Sequence, residues 1–350
     1  MATPGPSSPR APNEATPAAA RRVQVVVVTL DGARFREIFE GIDPELAEPQ
    51  QLPRQGAAQL MPHLHALIDG SGVALGAPGH GASISASGPN FVSLPGYSEI
   101  FTGRRVSGCL DNDCASTSAP SVADELAESP AGWQSAVVTS WPDIARVASK
   151  RGRVAVSAGA HAGATRSRFE QDRVVAAALH RAEPEAPWPG HGDFRRDRFT
   201  AELALAYLNA EQPDFLFVGL GETDEFAHQG NYAGYLQALS EADRYIGRLS
   251  AALDARAAAG VTTALIVTAD HGRAASFRDH GRPFPESARV WLVAAGSAIE
   301  ARGLVSAPTL RHLADIAPTL RTWFGLPADR DRNAGTPLVE LLGLTDRAGG

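Results

Sequence analysis

"TTALIVTADHG", residues 262–272, decides the fold. Thr262 to Ala269 is β-branched and aliphatic without polar alternation. That is the pattern of a strand buried on both faces, and such strands belong to parallel sheets covered by helices. The run stops on Asp270 and His271, an acid and an imidazole whose burial is costly without partners. In an open parallel sheet, ligands gather outside the carboxyl ends of the strands. Other strands that end in the same chemistry would deliver it to the same edge.

Two do. "RVQVVVVTL" (22–30) ends in Asp31 and Gly32, and "DFLFVGL" (214–220) runs into "GETDEFAH", with Asp224 and His228. "RDHG" places His280 ahead of the following apolar run, where it can fold back over the same edge. Further strands are expected at 72–76, 134–140, 154–159 and 288–296. Helices are expected near 61–69, 93–102, 142–150, 197–210, 231–258 and 311–324. This alternation predicts an α/β fold: a single doubly wound, mostly parallel sheet with helices on both faces. The stretch 160–196, rich in His, Pro and Arg, reads as an irregular excursion. Residues 1–21 read as a disordered Pro/Ala/Ser-rich tail, 22–346 as a single catalytic domain, and 347–350 as a C-terminal tail.

The 350 residues are 44% hydrophobic, enough for a large core, and their net charge of −7 comes without long basic runs. A nucleic-acid polymer is therefore not an expected partner. No stretch approaches the roughly 20 apolar residues of a membrane span. Arg21 and Arg22 before "VQVVVVTL" invite a twin-arginine reading, but the run leads into "DGARF" with no small-residue cleavage site, so no export signal is recognisable. Cys109 and Cys114 in "CLDNDC" form either a disulfide-closed loop, which would point to an oxidising compartment, or two free thiols. Oligomeric state is not legible.

Each candidate residue also has a plainer reading. Asp-Gly after a strand is commonly a turn, and His228 could cap the helix beginning near Asn231. Ser93, in "NFVSLPGYSEIFTG" with Pro95 in the first helical turn, could be an ordinary N-cap. A hydroxyl at a helix N-terminus also faces N–H groups that favour an anion, and a metal ion on its oxygen would make it a nucleophile. Asp31, Asp224, His228, Asp270, His271 and His280 at one sheet edge suit two divalent ions, zinc first and manganese as the alternative. His63 and His65, two apart on a helix, point to different faces and cannot share an ion. His80 and His161 read as solvated.

"TLDG", "SLPGYSEIFTG", "GETDEFAH", "TADHGR", "DHG" and "LADIAPTLRTWFGLP" resemble, in order and spacing, the signature of the alkaline phosphatase superfamily. The nearest branch is the nucleotide pyrophosphatase/phosphodiesterase-like one. The resemblance implies that Asp31, Ser93, Asp270 and His271 hold one zinc ion and Asp224, His228 and His280 the other. It also implies that Asn112 contacts a phosphoryl oxygen, that His63 and His65 are structural, and that the "DIAPTL" helix packs beneath the site. Gly96 and Tyr97 depart from the pattern: the Arg that sulfatases carry after the Pro is missing, and so is the Asn-His of the phosphodiesterase branch.

The implied activity is hydrolysis of a small-molecule phosphate ester, monoester or diester, through a covalent phosphoserine at Ser93. The alternative is a phosphoglycerate-mutase-like isomerase, for which the stretch between Ser93 and the helix at 197 looks short. A non-catalytic binding protein is a third reading, and the chemical competence of all seven metal and nucleophile positions argues against it.

Overall fold

The computed structural model describes residues 22–342 apart from 82, 118, 164 and 308, so the two expected tails lie outside the described residues. An eight-stranded sheet runs in the order β10 (Gly303–Leu304), β2 (Gly72–Leu75), β9 (Leu292–Ala295), β7 (Thr262–Thr268), β1 (Val23–Leu30), β6 (Phe215–Leu220), β4 (Ser135–Thr139), β5 (Ala155–Ala158). A second sheet holds β11 (Arg311–His312), β3 (Ile84–Ser85) and β8 (Arg289–Val290). In β1, Val25 to Val28 are fully buried, as the absence of polar alternation requires.

β1 pairs in parallel with β6 on one side and β7 on the other. β9 alone is reversed, antiparallel to both β2 and β7. The expected strand at 288–296 is therefore two pieces: Arg289–Val290 joins the small sheet, and the chain then crosses into the large one at Trp291. Trp291 is fully buried there and donates its indole N–H to the Ala33 carbonyl at 2.9 Å.

Helices flank the sheet, the longer ones at Pro62–Asp69, Ser93–Thr102, Asp197–Glu211, Tyr232–Ala258 and Ile316–Phe324. Several helices were not expected, among them the following two. The irregular excursion contains Arg173–Arg181, whose N-terminus is capped by the Asp172 carboxylate through the N–H groups of Val174 and Val175 (2.8 and 3.0 Å). Its buried Val175, Ala178 and Leu179 form a stripe at helical spacing, too short to stand out among charged neighbours. The second is Glu222–His228, which follows β6 directly. His228 thus closes its own helix, and Asn231 caps the next one, accepting the Gly234 N–H at 2.9 Å. Among the described residues no helix is long and apolar enough to cross a membrane.

Candidate metal centre

Register places the site. Leu30 lies opposite Leu220 and Thr29 opposite Thr268, so the three central strands β7, β1 and β6 end at one level. Asp270, Asp31 and Asp224 follow those ends.

Asp31, Asp270 and His271 form one cluster, with ligand atoms all within 4.8 Å of one another. His271 Nε2 is 3.4 Å from Asp31 Oδ1 and 3.6 Å from Asp270 Oδ2. Its Nδ1 lies 2.8 Å from the Gly272 carbonyl. That contact fixes the proton on Nδ1 and leaves the Nε2 lone pair facing the acids. Asp270 Oδ1 accepts the Gly32 N–H at 3.1 Å, whereas its Oδ2 is buried without any hydrogen-bond partner. An orphaned oxygen on a fully buried carboxylate is a deficit that a cation repairs. The charge balance agrees. Burial and the Asp224 carboxylate push Asp31 up to about 7, burial and Asp31 push Asp270 well up, and burial takes His271 down to about 4.

Asp224, His228 and His280 form the second cluster. Asp224 and His228 stand one turn apart on the Glu222–His228 helix, with Oδ2 and Nε2 3.0 Å apart. His280 Nε2 is 3.0 Å from His228 Nε2 and 3.6 Å from Asp224 Oδ1. His280 Nδ1 faces the Phe91 carbonyl at 3.1 Å, so its Nε2 also presents a lone pair. The two clusters adjoin: the rings of His271 and His280 stack at 4.0 Å.

Arg273 was not anticipated. Its side chain is fully buried, touches Asp224 Oδ1, and is held by the carbonyls of Phe277 and Arg278. Burial alone would raise Asp224, but the Arg273 guanidinium and the His228 hydrogen bond hold its carboxyl well below the usual range. No local signal could have revealed this pairing across 49 positions. The turn between them needs Gly32: at φ +58° a Cβ would come within 2.6 Å of Asp224 Oδ1 and 2.7 Å of Arg273.

Ser93 is the first residue of its helix, not the cap; Val92 occupies the cap position without a capping side chain. Asn112 supplies the cap from a distant loop, its Oδ1 accepting the Leu94 N–H at 2.9 Å. Cys109 and Cys114 are bonded and close that loop. Ser93 is buried, with Oγ 3.4 Å from Asp31 Oδ1 and 3.3 Å from His271 Nε2. Gly96 and Tyr97 now have a physical reason. A Cβ at Gly96 would lie 2.2 Å from the Asp270 carbonyl oxygen, so only glycine lets this helix rest on the backbone at Asp270. Tyr97 donates its hydroxyl to Asp31 Oδ2 at 2.9 Å and orients that carboxylate.

A cavity of about 440 Å³ opens onto Ser93, Asn112, Asp31, Asp224 and His228. Sequence reasoning did not find its other walls: Trp141, Asp143, Phe194, Glu225, Asp113 and His191. Trp141 was findable, since β4 is parallel to β6 and its carboxyl end lies at the same edge. The remaining histidines stand apart from both clusters. His65 Nε2 bonds the Ile38 carbonyl at 2.8 Å, and the N–H groups of His63 and Leu64 donate to Asp243. His161 is exposed and paired with Asp193, and His80 lies in a loop.

Residues 195–328 match the family model described as the Metalloenzyme superfamily. That match covers less than half of the chain, and the fold as a whole is alkaline phosphatase-like. The matched segment holds Asp224, His228, Asp270, His271 and His280, while Asp31 and Ser93 precede it. Superposition on the alkaline phosphatase PafA covers 93% of this chain and 100% of that one, with a TM-score of 0.62 at 13% identity. A phosphonate monoester hydrolase from Silicibacter pomeroyi gives a TM-score of 0.54 at 17% identity, covering 94% of this chain and 78% of that one. A 2-O GAG sulfatase gives 0.59 at 14% identity, covering 94% of this chain and 76% of that one.

Among curated relatives, the 2,3-bisphosphoglycerate-independent phosphoglycerate mutase of Natronomonas pharaonis is 33% identical over 129 residues, covering 36% of this chain and 24% of its own length. The corresponding mutase of Synechococcus sp. is 34% identical over 133 residues, covering 36% of this chain and 22% of its own. The chain thus spans about a quarter of the length of these relatives. The superfamily implies divalent metal ions, and the alkaline phosphatase-like fold holds two groups of residues that could ligate them.

Proposed function

We propose that this chain is a metal-dependent hydrolase of phosphate esters with Ser93 as nucleophile. Asp31, Ser93, Asp270 and His271 would hold one divalent cation, and Asp224, His228 and His280 a second. The carrying observation is the donor set: three imidazole Nε2 atoms and three carboxylates converge beside one serine hydroxyl, and Asp270 Oδ2 is left buried without a protein partner. Mixed nitrogen and carboxylate donors suit zinc, with manganese the next candidate.

Divalent cations bound there supply Lewis-acid stabilisation of the attacking and leaving oxygens and lower the pKa of the serine hydroxyl. The protein's part is placement. Tyr97 and Gly32 fix Asp31 and Asp270, the carbonyls of Gly272 and Phe91 fix two imidazoles, and Arg273 keeps Asp224 ionised. Ser93 Oγ, its proton given up to solvent, attacks phosphorus as the bond to the leaving oxygen breaks; water then cleaves the phosphoserine, restoring the hydroxyl and releasing phosphate from a monoester or a phosphomonoester from a diester. Asn112, by capping Leu94, holds the first helical turn so that Oγ keeps its place.

The test is release of 4-nitrophenolate from 4-nitrophenyl phosphate and bis(4-nitrophenyl) phosphate, with 4-nitrophenyl sulfate as comparator. The phosphate esters should be cleaved, chelation should abolish the activity, and zinc or manganese should restore it. Full activity after complete metal removal would overturn the reading.

The mutase relatives favour a second reading, transfer of phosphate within a phosphoglycerate, because they are 33% and 34% identical to this chain over 129 and 133 residues. Conversion of 3-phosphoglycerate to 2-phosphoglycerate by the metal-loaded chain would support it.

A further inference from the structure

Resting on the phosphate-ester reading, we propose that the substrate carries an organic cation, an ammonium or quaternary ammonium group, which lies in the mouth of the cavity against Trp141, Phe194, Asp113 and Glu225. A substrate whose phosphorus lies over Ser93 must place its remaining atoms against these walls, because they line the same 440 Å³ space.

The walls are acidic. Asp113, Asp143 and Glu225 line the cavity beyond the proposed metal ligands, His191 stands near Glu225, and no lysine or arginine lines it. Asp143 is paired at 2.9 Å with Arg146, whose other guanidinium nitrogen is turned to the Asn112 carbonyl. The carboxylates of Asp113 and Glu225 make no ion pair or hydrogen bond among the described residues. Arg273 is fully buried behind Asp224 and offers the cavity nothing.

Charge then decides. Two divalent cations would offset the three ligating aspartates with about one charge to spare, which the phosphoryl group takes up. The Asp113 and Glu225 carboxylates remain without an ion-pair partner, and a cleft lined mainly by one sign of charge disfavours an anion of the same sign. A substrate that is only an anion is disfavoured at this mouth, whereas a zwitterion meets both ends of the cavity. A bare metal ion would be served by the carboxylates alone. The Trp141 indole, half-buried at the cavity wall, adds an aromatic face of the kind that binds desolvated organic cations, and the Phe194 ring, itself buried against Gly190 and Gly221, backs that wall.

The test uses the zinc-loaded full chain and two isosteric pairs: phosphocholine against 3,3-dimethylbutyl phosphate, and 4-nitrophenyl phosphocholine against 4-nitrophenyl 3,3-dimethylbutyl phosphate. Each pair differs only in a quaternary nitrogen replaced by carbon. In at least one pair the cationic member should show a kcat/KM about 10-fold higher or more. Asp113→Asn and Glu225→Gln should each bring that ratio toward one, a readout that a change in folded fraction or metal content cannot move. A ratio near or below one, or a ratio unchanged in both variants, overturns the inference while leaving the phosphate-ester reading intact. Absence of any cleavage in these esters and in 4-nitrophenyl phosphate overturns both.

Discussion

Asp197 and Glu222 cap each other's helices. The Asp197 carboxylate accepts the N–H groups of Gly221 (2.8 Å) and Glu222 (2.9 Å), and Glu222 Oε1 accepts the Asp197 N–H at 3.0 Å. The Ser140 hydroxyl, just beyond β4, donates to the same Asp197 oxygen that takes Gly221. The short helix carrying Asp224 and His228 is therefore anchored at its N-terminus by a residue that touches neither.

Asp197→Ala should leave the Gly221 and Glu222 N–H groups without their acceptor inside the protein, while the Ser140 hydroxyl keeps Thr200 Oγ1 at 2.9 Å, at a stability loss of about 1–3 kcal/mol. It should also weaken metal binding at Asp224, His228 and His280 more than at Asp31, Asp270 and His271. Urea unfolding checks the first effect, and stepwise metal titration of the folded variant checks the second. Equal weakening of both sites, or of neither, would count against the anchoring role.

The Cys109–Cys114 bond closes the loop that brings Asn112 to Leu94. Thiol titration of the native protein should find neither cysteine free. Replacing both with serine should cost about 2 kcal/mol of stability for so short a loop, and Asn112→Ala should lower turnover in the same direction by removing the cap it presents. Undiminished turnover in both variants would separate the loop from catalysis.

Glu99 provides a pH test away from the metal ligands. Both its oxygens accept from Ser87, yet burial prevails and pushes its carboxyl up to about 8. Because the folded value lies above the unfolded one, the protonated form is favoured by folding. Its contribution is full below the ordinary carboxylate range and is lost as pH rises toward 8. Glu99→Gln, permanently neutral, should therefore gain stability relative to wild type between about pH 5 and pH 9. Unfolding midpoints for both proteins across that range check this, and a pH-independent difference would contradict it.

The strand ends were legible because a parallel strand buried on both faces leaves no reason for an acid beyond it except a partner. Asp31, Asp224 and Asp270 each follow such a run, and pairing of the three central strands brings them to one edge. The Glu222–His228 helix was not legible, since seven residues span too few turns for an apolar period to register. Arg273, Tyr97 and the capping role of Asn112 depend on contacts across 49, 66 and 18 positions, where local pattern carries no information. The reversed strand β9 was hidden because an antiparallel strand buried on both faces has the same composition as a parallel one. Trp188, half exposed with its ring edge on Phe226, belongs to the excursion that sequence pattern left without structure.

The central claim is that Ser93 attacks phosphorus within a metal-loaded site. Its most direct test is Ser93→Ala, with metal content and turnover measured on the same folded preparation. Asp31, Asp270 and His271 remain to hold the cation beside the lost hydroxyl, so metal content should stay near that of wild type while kcat falls by at least about 10³-fold. Near-normal turnover by a folded, metal-loaded Ser93→Ala protein would contradict the account and make water, not serine, the attacking group.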